Sequence, residues 1–411
     1  MKAIVISVGD ELLSGRTLNT NLKTIAEFLG RFGIEVLRDC TVRDDPQEII
    51  KSIKEALNDS DIVIVTGGLG ITVDDVTREA VARAIGVNLL FDEELYRDIE
   101  KKMVERGVRI TEVHKNYGYV PEGFELIKND YGLAPGYFGK IDGKILMILP
   151  GPPHELKNVL ENASSKFSVL SSDQIYVKTV KTFGLKESDI VEILKDDIKF
   201  LSPIGFYPIV PGMVDLKLTM KGNDIDKLRE EMAKKISLLE DKLGDYIYGY
   251  DDETLQSVVG KLLRDKGLTI ATSESCTGGL VANLITDVPG SSDYFKGGVV
   301  SYWNEVKQGV LGVSDIILNH FGAVSEPVAI MMAEGVRNLL KTNVGLSTTG
   351  IAGPTGGTPE KPVGLVFMGV SIEGKTTVIR KIFKGDRLMI KKQAALTVLN
   401  LVRLKIKETF K

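Results

Sequence analysis

Ser273 to Gly279 reads SESCTGG, which places Ser275 between an acid and a thiol with two glycines close behind. The surrounding stretch "LTIATSESCTGGLVANLIT" passes from β-branched residues to a helical pattern within a few positions, so it reads as a strand–helix junction. A serine near a helix N-terminus has unpaired N–H groups and the helix dipole beside it. Together they stabilise developing negative charge, as an oxyanion hole does. Gly278 and Gly279 would let a substrate approach the backbone closely. Two other readings stay open. Ser273, Ser275 or Thr277 could cap the helix. Cys276 could be the nucleophile, as a thiolate at a helix end, or small buried filler.

A nucleophilic serine needs a base. The chain has three histidines, His114, His154 and His320, none within thirty residues of Ser275, and no G-x-S-x-G elbow. The stretch "GGVVSYWNEVKQGVLGV" offers Tyr302 and Lys307 at the end of a strand and the start of a helix. A lysine base must be uncharged. Moving its pKa from about 10.4 to 7 disfavours the ammonium by roughly 4–5 kcal/mol, which burial or a nearby cation could impose. Arg387, in "KGDRLMIKKQAA", could be that cation or could hold a substrate phosphate; a plain surface charge is the alternative for both residues. The Gly/Pro loop "TTGIAGPTGGTPEKPVG" (348–364) could cradle an anion on its amides, or simply connect two strands.

A second set of residues lies near the start of the chain. "VGDELLSG" puts Asp10 and Glu11 at the end of a first strand, and "TGGLGITVDDVT" puts Gly67, Gly68, Gly70, Asp74 and Asp75 at the end of a third. In an open parallel sheet both loops lie on the ligand-binding edge. The glycines suit phosphate oxygens, and the acids suit Mg²⁺ or another hard cation against a diphosphate. Helix capping by Asp10, Asp74 or Asp75 is the alternative.

The elements that must position these groups alternate between strand and helix. "KAIVISV", "IEVLRDCTV" and "DIVIVTGGLG" are strands; 19–33, 46–58, 74–86 and about 92–106 read as helices. This alternation predicts a parallel sheet with crossover helices. A hairpin at Asp142-Gly143 follows, then a helix from about His154. The serine-rich stretch 164–173 is the expected domain boundary. The middle segment reads strand, helix (186–200), strand, helix (224–243), a small α+β unit. Its order suits a KH-like module, but it lacks the G-x-x-G loop that clamps phosphates, which favours a spacer or dimerisation role. From about Asp251 a second α/β domain begins, ending in a helix over about 386–407. The expected domains are 1–168, 172–250 and 253–411.

With 411 residues, 43% apolar and 26% charged, the chain is of the soluble globular class. Its formal net charge of −4 opposes general nucleic-acid affinity. No apolar run approaches the roughly 20 residues of a membrane span, and the first apolar stretch reads as a buried strand rather than a signal peptide. Only Cys40 and Cys276 are available for disulfides, so a cytoplasmic location is expected. A homodimer is the expected assembly.

"SESCTGG", "GSSDYFKGGVVSYWNEVKQGVLGV", "GAVSEPVA" and "TTGIAGPTGGTPEKPVG" together resemble the C-terminal, nicotinamide-mononucleotide amidase domain of the CinA family, over most of residues 253–411. The resemblance implies deamidation of nicotinamide mononucleotide to nicotinic acid mononucleotide and ammonia, with no metal. It implies Ser275 as nucleophile, Lys307 as base, Arg387 in a "GDR" motif as support, and Tyr302 and Thr349 as positioning groups. Glu274, Thr277, Gly278, Gly279, Gly350, Gly353 and Gly356 would surround the substrate. Ser273 stands where the family usually has alanine, and Trp303 where a smaller residue is common. "VGDELLSG", "TGGLGITVDD" and "LPGPPHEL" resemble the family's N-terminal domain, a MoaB/MogA-like three-layer α/β fold covering roughly residues 1–165. That likeness implies hydrolysis of ADP-ribose to AMP and ribose 5-phosphate with Mg²⁺, Mn²⁺ or Co²⁺; a non-catalytic nucleotide- or pterin-binding module is the alternative. Ile71 stands where the family commonly has proline.

Overall fold

The computed structural model describes residues 1–170 and 174–410. The chain divides into two compact units, residues 1–177 with 220–230, and residues 178–219 with 231–411.

The first unit is built on strands β1 (Lys2–Val8), β2 (Glu35–Val42) and β3 (Ile62–Thr66), a short pair β4 (Leu89–Phe91) and β5 (Tyr119–Pro121), and β6 (Glu125–Ile127), β7 (Gly136–Ile141) and β8 (Lys144–Leu149). The main sheet runs β2-β1-β3-β8-β7-β6. Its first four strands are parallel, and β7 is antiparallel to both of its neighbours. The β7–β8 turn is the expected one: Asp142 and Gly143 have φ of 48° and 82°, the left-handed pair a tight hairpin favours.

β1 is apolar at almost every position because both its faces are covered. Ala3 and Val5 meet Phe28, Leu156 and Phe167 on one side. Ile4, Ile6 and Val8 meet Ile49, Ile53 and Val81 on the other. Helices Asn21–Gly30 and Pro153–Asn162 thus form one outer layer, and Pro46–Asp59 and Thr77–Ile85 the other. The expected domain boundary falls in 164–173, with the first domain ending at 168. Ser164–Ser168 is helical, and Phe167 is fully buried in the first unit's core. The serines there sit on the outside of a helix whose one aromatic is an anchor. Residues 171–173 lie outside the described residues.

The second unit holds most of a module of β9 (Gln174–Phe183), β10 (Ile204–Val210), β11 (Met213–Gly222) and β12 (Ile247–Tyr250), in the order β10-β11-β9-β12. Helices Glu187–Leu194, Ile198–Leu201 and Ile225–Leu243 belong to this module. β10 and β12 extend the expected strand set. β10 carries Gly205 and Pro208, which weaken a strand signal but are tolerated at a sheet edge. Lys195, Asp196 and Asp197 join the first two helices, and two of these three are acids that repel phosphate.

The rest of the unit is a sheet in the order β14-β13-β15-β16-β17, from β13 (Ile270–Glu274), β14 (Phe295–Val300), β15 (Val344–Gly350), β16 (Leu365–Ile372) and β17 (Lys375–Ile382). β14, β13 and β15 are parallel, while β16 and β17 are antiparallel. Helix Arg387–Thr409 is buried along most of its length against Leu255, Val259 and Leu263 of the helix Leu255–Asp265. Arg403 on that last helix is fully buried. Its guanidinium donates to the carbonyls of Asp245 (2.5 Å) and Ile247 (3.1 Å) at the start of β12.

A hydrogen bond from a charged donor contributes about 1.5–3 kcal/mol. Arg403→Met keeps the bulk and removes the donors. Amide hydrogen exchange over residues 247–250 should then accelerate by about tenfold or more; unchanged protection there would show that packing alone holds β12.

Candidate functional site

Three adjacent parallel strands bring the C-terminal site together. In the register of β13, Glu274 pairs with Val300 of β14 on one side and with Thr348 of β15 on the other. Ser275 and Ser301, which follow β13 and β14, and Thr349, one residue before the end of β15, therefore lie at the same edge of the sheet. The Ser275 amide donates to the Thr348 carbonyl (2.9 Å), and the Ser301 amide donates to the Glu274 carbonyl (2.8 Å).

Beyond the edge lies a cavity of about 210 Å³ lined by Ser275, Tyr302, Lys307, Thr349, Gly350 and Arg387, among others. It unites all the expected catalytic candidates. Ser275 is 9% exposed, and its hydroxyl makes no hydrogen bond among the described residues. Lys307 comes from the short helix Asn304–Gly309 and is 1% exposed. Its Nζ donates to the carbonyls of Ser301 (2.7 Å) and Tyr302 (3.4 Å). No hydrogen bond joins it directly to Ser275. Burial pushes the Lys307 amine below the ordinary lysine range, with Cys276 and Glu305 opposing. Arg387 donates to the Gly353 carbonyl (2.7 Å) and the Tyr302 hydroxyl (2.9 Å), and so ties the loop to the residue after β14. The "GDR" triplet is a turn at Gly385, a cap at Asp386, whose side chain accepts from the Met389 amide, and then this arm. Thr349 donates to the Ala323 carbonyl (2.7 Å).

Glu274 is the site's structural surprise. It is 1% exposed and turned away from the cavity. One oxygen accepts from the amides of Gly279 (3.0 Å) and Val281 (2.9 Å) and from the Thr277 hydroxyl (2.7 Å); the other accepts from the Ala282 amide (2.8 Å). This corrects two expectations. The N-terminal amides of the helix Leu280–Thr286 are occupied by a carboxylate, so they are no oxyanion hole. Glu274 and Thr277 hold the turn from behind instead of lining the cavity. In the turn itself, the amides of Cys276 and Thr277 make no hydrogen bond to another residue among those described, so this is where an oxyanion could be received. Gly278, Gly279, Gly353 and Gly356 also lie outside the cavity wall; of the expected glycines only Gly350 lines it.

The capping alternative fails on the same contacts. The helix N-cap is Gly279, without a side-chain cap. Thr277 serves Glu274, and Ser273 donates to the Met332 and Leu346 carbonyls (both 3.0 Å). Ser273 thus serves the fold, and Trp303 is exposed outside the cavity wall.

In the first unit, β1, β2 and β3 end on a cavity of about 590 Å³. Gly67, Gly68 and Gly70 line it, and a Cβ at Gly67, whose φ is 103°, would collide with the Val8 carbonyl. Of the four expected acids, Glu11, Asp74 and Asp75 line it and Asp10 does not. The Asp75 carboxylate is taken by the amide (2.8 Å) and hydroxyl (2.5 Å) of Thr72, which makes it a turn-former. Asp44 was not foreseen. It accepts from the Asp10 amide (2.9 Å) and lines the cavity. Burial pushes its carboxyl up; the Asp10 amide opposes this, and Glu11, Asp10 and Asp74 add to the rise. The end of β2 lies on the same sheet edge as the ends of β1 and β3, and that topology was the signal available for Asp44. Among the described residues no three His, Cys, Asp or Glu side chains converge closely enough to hold a metal by themselves. Ile71 is not part of the cavity wall.

The Cys276 thiol is buried and pushed up to about 12 by that burial and by Glu274; its own amide, Lys307 and Lys391 oppose the rise. A raised thiol pKa keeps the unreactive protonated form at all pH values below it. Iodoacetamide at pH 8 should therefore spare Cys276 in the folded chain and label it in urea, as read by peptide mass spectrometry.

Three family models match the chain: "CinA C-terminal domain" over residues 252–406, "Probable molybdopterin binding domain" over 4–167 and "Damage-inducible protein CinA KH domain" over 177–249. A CinA-like protein of Kosmotoga olearia is 42% identical over 405 residues, with 98% of each chain covered. A putative competence-damage inducible protein of Caldicellulosiruptor saccharolyticus is 41% identical over 406 residues, again with 98% of each covered. Among solved structures, a CinA protein of unknown function from Thermoplasma acidophilum is 38% identical; 41% of this chain and 99% of that one align, with a TM-score of 0.39.

Proposed function

The chain belongs to the CinA family, with a molybdopterin-binding-like first domain, a KH-like middle domain and a CinA C-terminal domain, and from this premise we propose that its C-terminal domain is a serine amidase acting on nicotinamide mononucleotide. The observation that carries the reading is the buried Lys307 amine, with its depressed pKa, in the same small cavity as the unengaged Ser275 hydroxyl. An uncharged amine has two N–H groups and one lone pair. With its hydrogens on the Ser301 and Tyr302 carbonyls, the lone pair is left for a proton from elsewhere.

In the proposed reaction, Ser275 Oγ attacks the carboxamide carbon and its proton passes to Lys307 Nζ. Charge on the carbonyl oxygen is met by the turn amides of Cys276 and Thr277. Lys307 returns the proton to the amide nitrogen as the C–N bond breaks, and ammonia leaves. Water then hydrolyses the acyl-serine to give nicotinic acid mononucleotide. Tyr302, held by Arg387, and Thr349 position the substrate.

We propose that the first domain hydrolyses ADP-ribose to AMP and ribose 5-phosphate. Glu11, Asp44 and Asp74 line one cavity, where their like charges would attract a divalent cation such as Mg²⁺, Mn²⁺ or Co²⁺. Two of them with diphosphate oxygens would supply its ligands. The cation would polarise the diphosphate when bound; Gly67, Gly68 and Gly70 would take the phosphate oxygens. Both substrates carry a ribose phosphate, so one chain would serve pyridine-nucleotide salvage, which fits a cytoplasmic homodimer. No helix among the described residues is long and apolar enough to cross a membrane.

Ammonia release from nicotinamide mononucleotide is the direct test. Ser275→Ala and Lys307→Met should each lose at least about 10³-fold in kcat, while Cys276→Ala stays active. Loss in the cysteine variant with retention in the serine variant would reverse the assignment. Because the base form of Lys307 is required, kcat/KM should rise with pH through an apparent pKa below about 10.4.

For the first domain, the whole chain incubated with ADP-ribose and each metal should yield AMP by chromatography. Asp44→Asn should lower that rate about 10–100-fold and Asp75→Asn should affect thermal stability more than rate. No AMP with any metal would favour a non-catalytic nucleotide- or pterin-binding module.

A further inference from the structure

The cavity beside Ser275, at about 210 Å³, is below the roughly 300–1,000 Å³ of pockets that enclose a whole small-molecule ligand. A nucleotide would enter it by one end only. With the carboxamide at Ser275, the ribose phosphate would lie outside, across the rim.

One cation near the turn that carries Ser275 makes no hydrogen bond or ion pair among the described residues. Lys391 stands four residues after Arg387 on the helix Arg387–Thr409, so the two share a face. Its Nζ reaches the turn that carries Ser275: a Cβ at Gly278 would sit 3.6 Å from it. Its charge is felt at the Cys276 thiol in the cavity wall. Lys391 is half-buried, yet among the described residues it meets neither a carboxylate nor a hydrogen-bond acceptor. The neighbouring cations are engaged, Lys307 with two carbonyls and Arg387 with Gly353 and Tyr302. Ordering a lysine side chain costs up to about 2 kcal/mol of rotamer entropy, and no hydrogen bond or ion pair among the described residues offsets that for Lys391. A compact ammonium with three donors suits a phosphate monoester.

We propose that Lys391 reads the phosphate monoester of the substrate, and so makes the C-terminal site selective for a nucleotide over its nucleoside. This rests on the amidase reading above and adds the residue that sets its substrate class.

The test compares the full-length chain with Lys391→Met and Lys391→Arg on nicotinamide mononucleotide and nicotinamide riboside. The preference for the mononucleotide, as the ratio of kcat/KM values, should fall about tenfold or more in Lys391→Met, through KM for the mononucleotide. Lys391→Arg should recover most of it. A ratio unchanged in Lys391→Met, or both substrates falling together, overturns the proposal and leaves the amidase reading standing. Calorimetric titration of the mononucleotide into Ser275→Ala, with and without Lys391→Met, needs no turnover. A roughly tenfold weaker binding supports the proposal, and equal binding overturns it. Absence of ammonia from either substrate with the unmutated chain would instead defeat the amidase reading, while this titration still decides Lys391.

Discussion

The C-terminal site depends on one buried carboxylate. Glu274 ends β13 and would ordinarily carry its charge into solvent. Here it turns back and accepts from three amides and a hydroxyl. Those bonds close the turn between the strand and the helix Leu280–Thr286, and the turn is what aims the next residue, Ser275, over the sheet edge. Burying a carboxylate is costly unless every lone pair is met. Glu274 is stable because the helix N-terminus supplies amides that would otherwise lack partners. Thr277 extends the network to Thr348 through a 2.6 Å contact between hydroxyls, which joins the turn to β15. Strand end, turn and helix start are therefore one hydrogen-bonded body, and the nucleophile candidate is its outward-facing corner.

The two α/β domains apply one geometric rule to opposite chemistries. In each, three adjacent parallel strands stop at a common edge, and the residues just past their ends form a cavity. Past β1, β2 and β3 come Glu11, Asp44 and Gly67–Gly70. At the ends of β13, β14 and β15 lie Ser275, Tyr302 and Thr349. The first edge accumulates acids whose mutual repulsion helps raise Asp44; such an edge suits a cation. The second turns its one strand-end acid inward and leaves an amine in a dry place. Desolvation is what lowers the Lys307 pKa, against the opposing charges of Cys276 and Glu305.

Much of this was legible in the sequence, for physical reasons. Strands buried on both faces read as unbroken apolar runs, so β1 and β3 could be placed, and with them the edge of the first sheet where a site forms. The hairpin at Asp142-Gly143 followed from turn chemistry alone. Side-chain direction just beyond a strand was not legible. Glu274 and Ser275 are neighbours, yet one faces the core and the other the cavity, because the turn's amides capture the stronger acceptor. Asp44 and Asp75 show the same limit. Asp75 was expected as a ligand and is held by Thr72; Asp44 was not singled out, and with Asp45 capping the helix Pro46–Asp59 it is left for the cavity. β10 and β12 were missed because Gly205, Pro208 and a four-residue length dilute the alternation that marks a strand.

The choice between Ser275 and Cys276 turns on the same microenvironment. A thiol is intrinsically the better nucleophile, but only as thiolate, and burial that lowers an amine's pKa raises a thiol's. The two shifts have one cause and opposite consequences: Cys276 is pushed up to about 12, while Lys307 is pushed down. A pocket dry enough to lower the lysine pKa therefore disarms the cysteine beside it. Serine loses nothing by this, since its hydroxyl is neutral at any working pH and gives up its proton only as the new bond forms. A lysine base and a serine nucleophile are thus compatible demands on one cavity, whereas a lysine base and a resting thiolate are not.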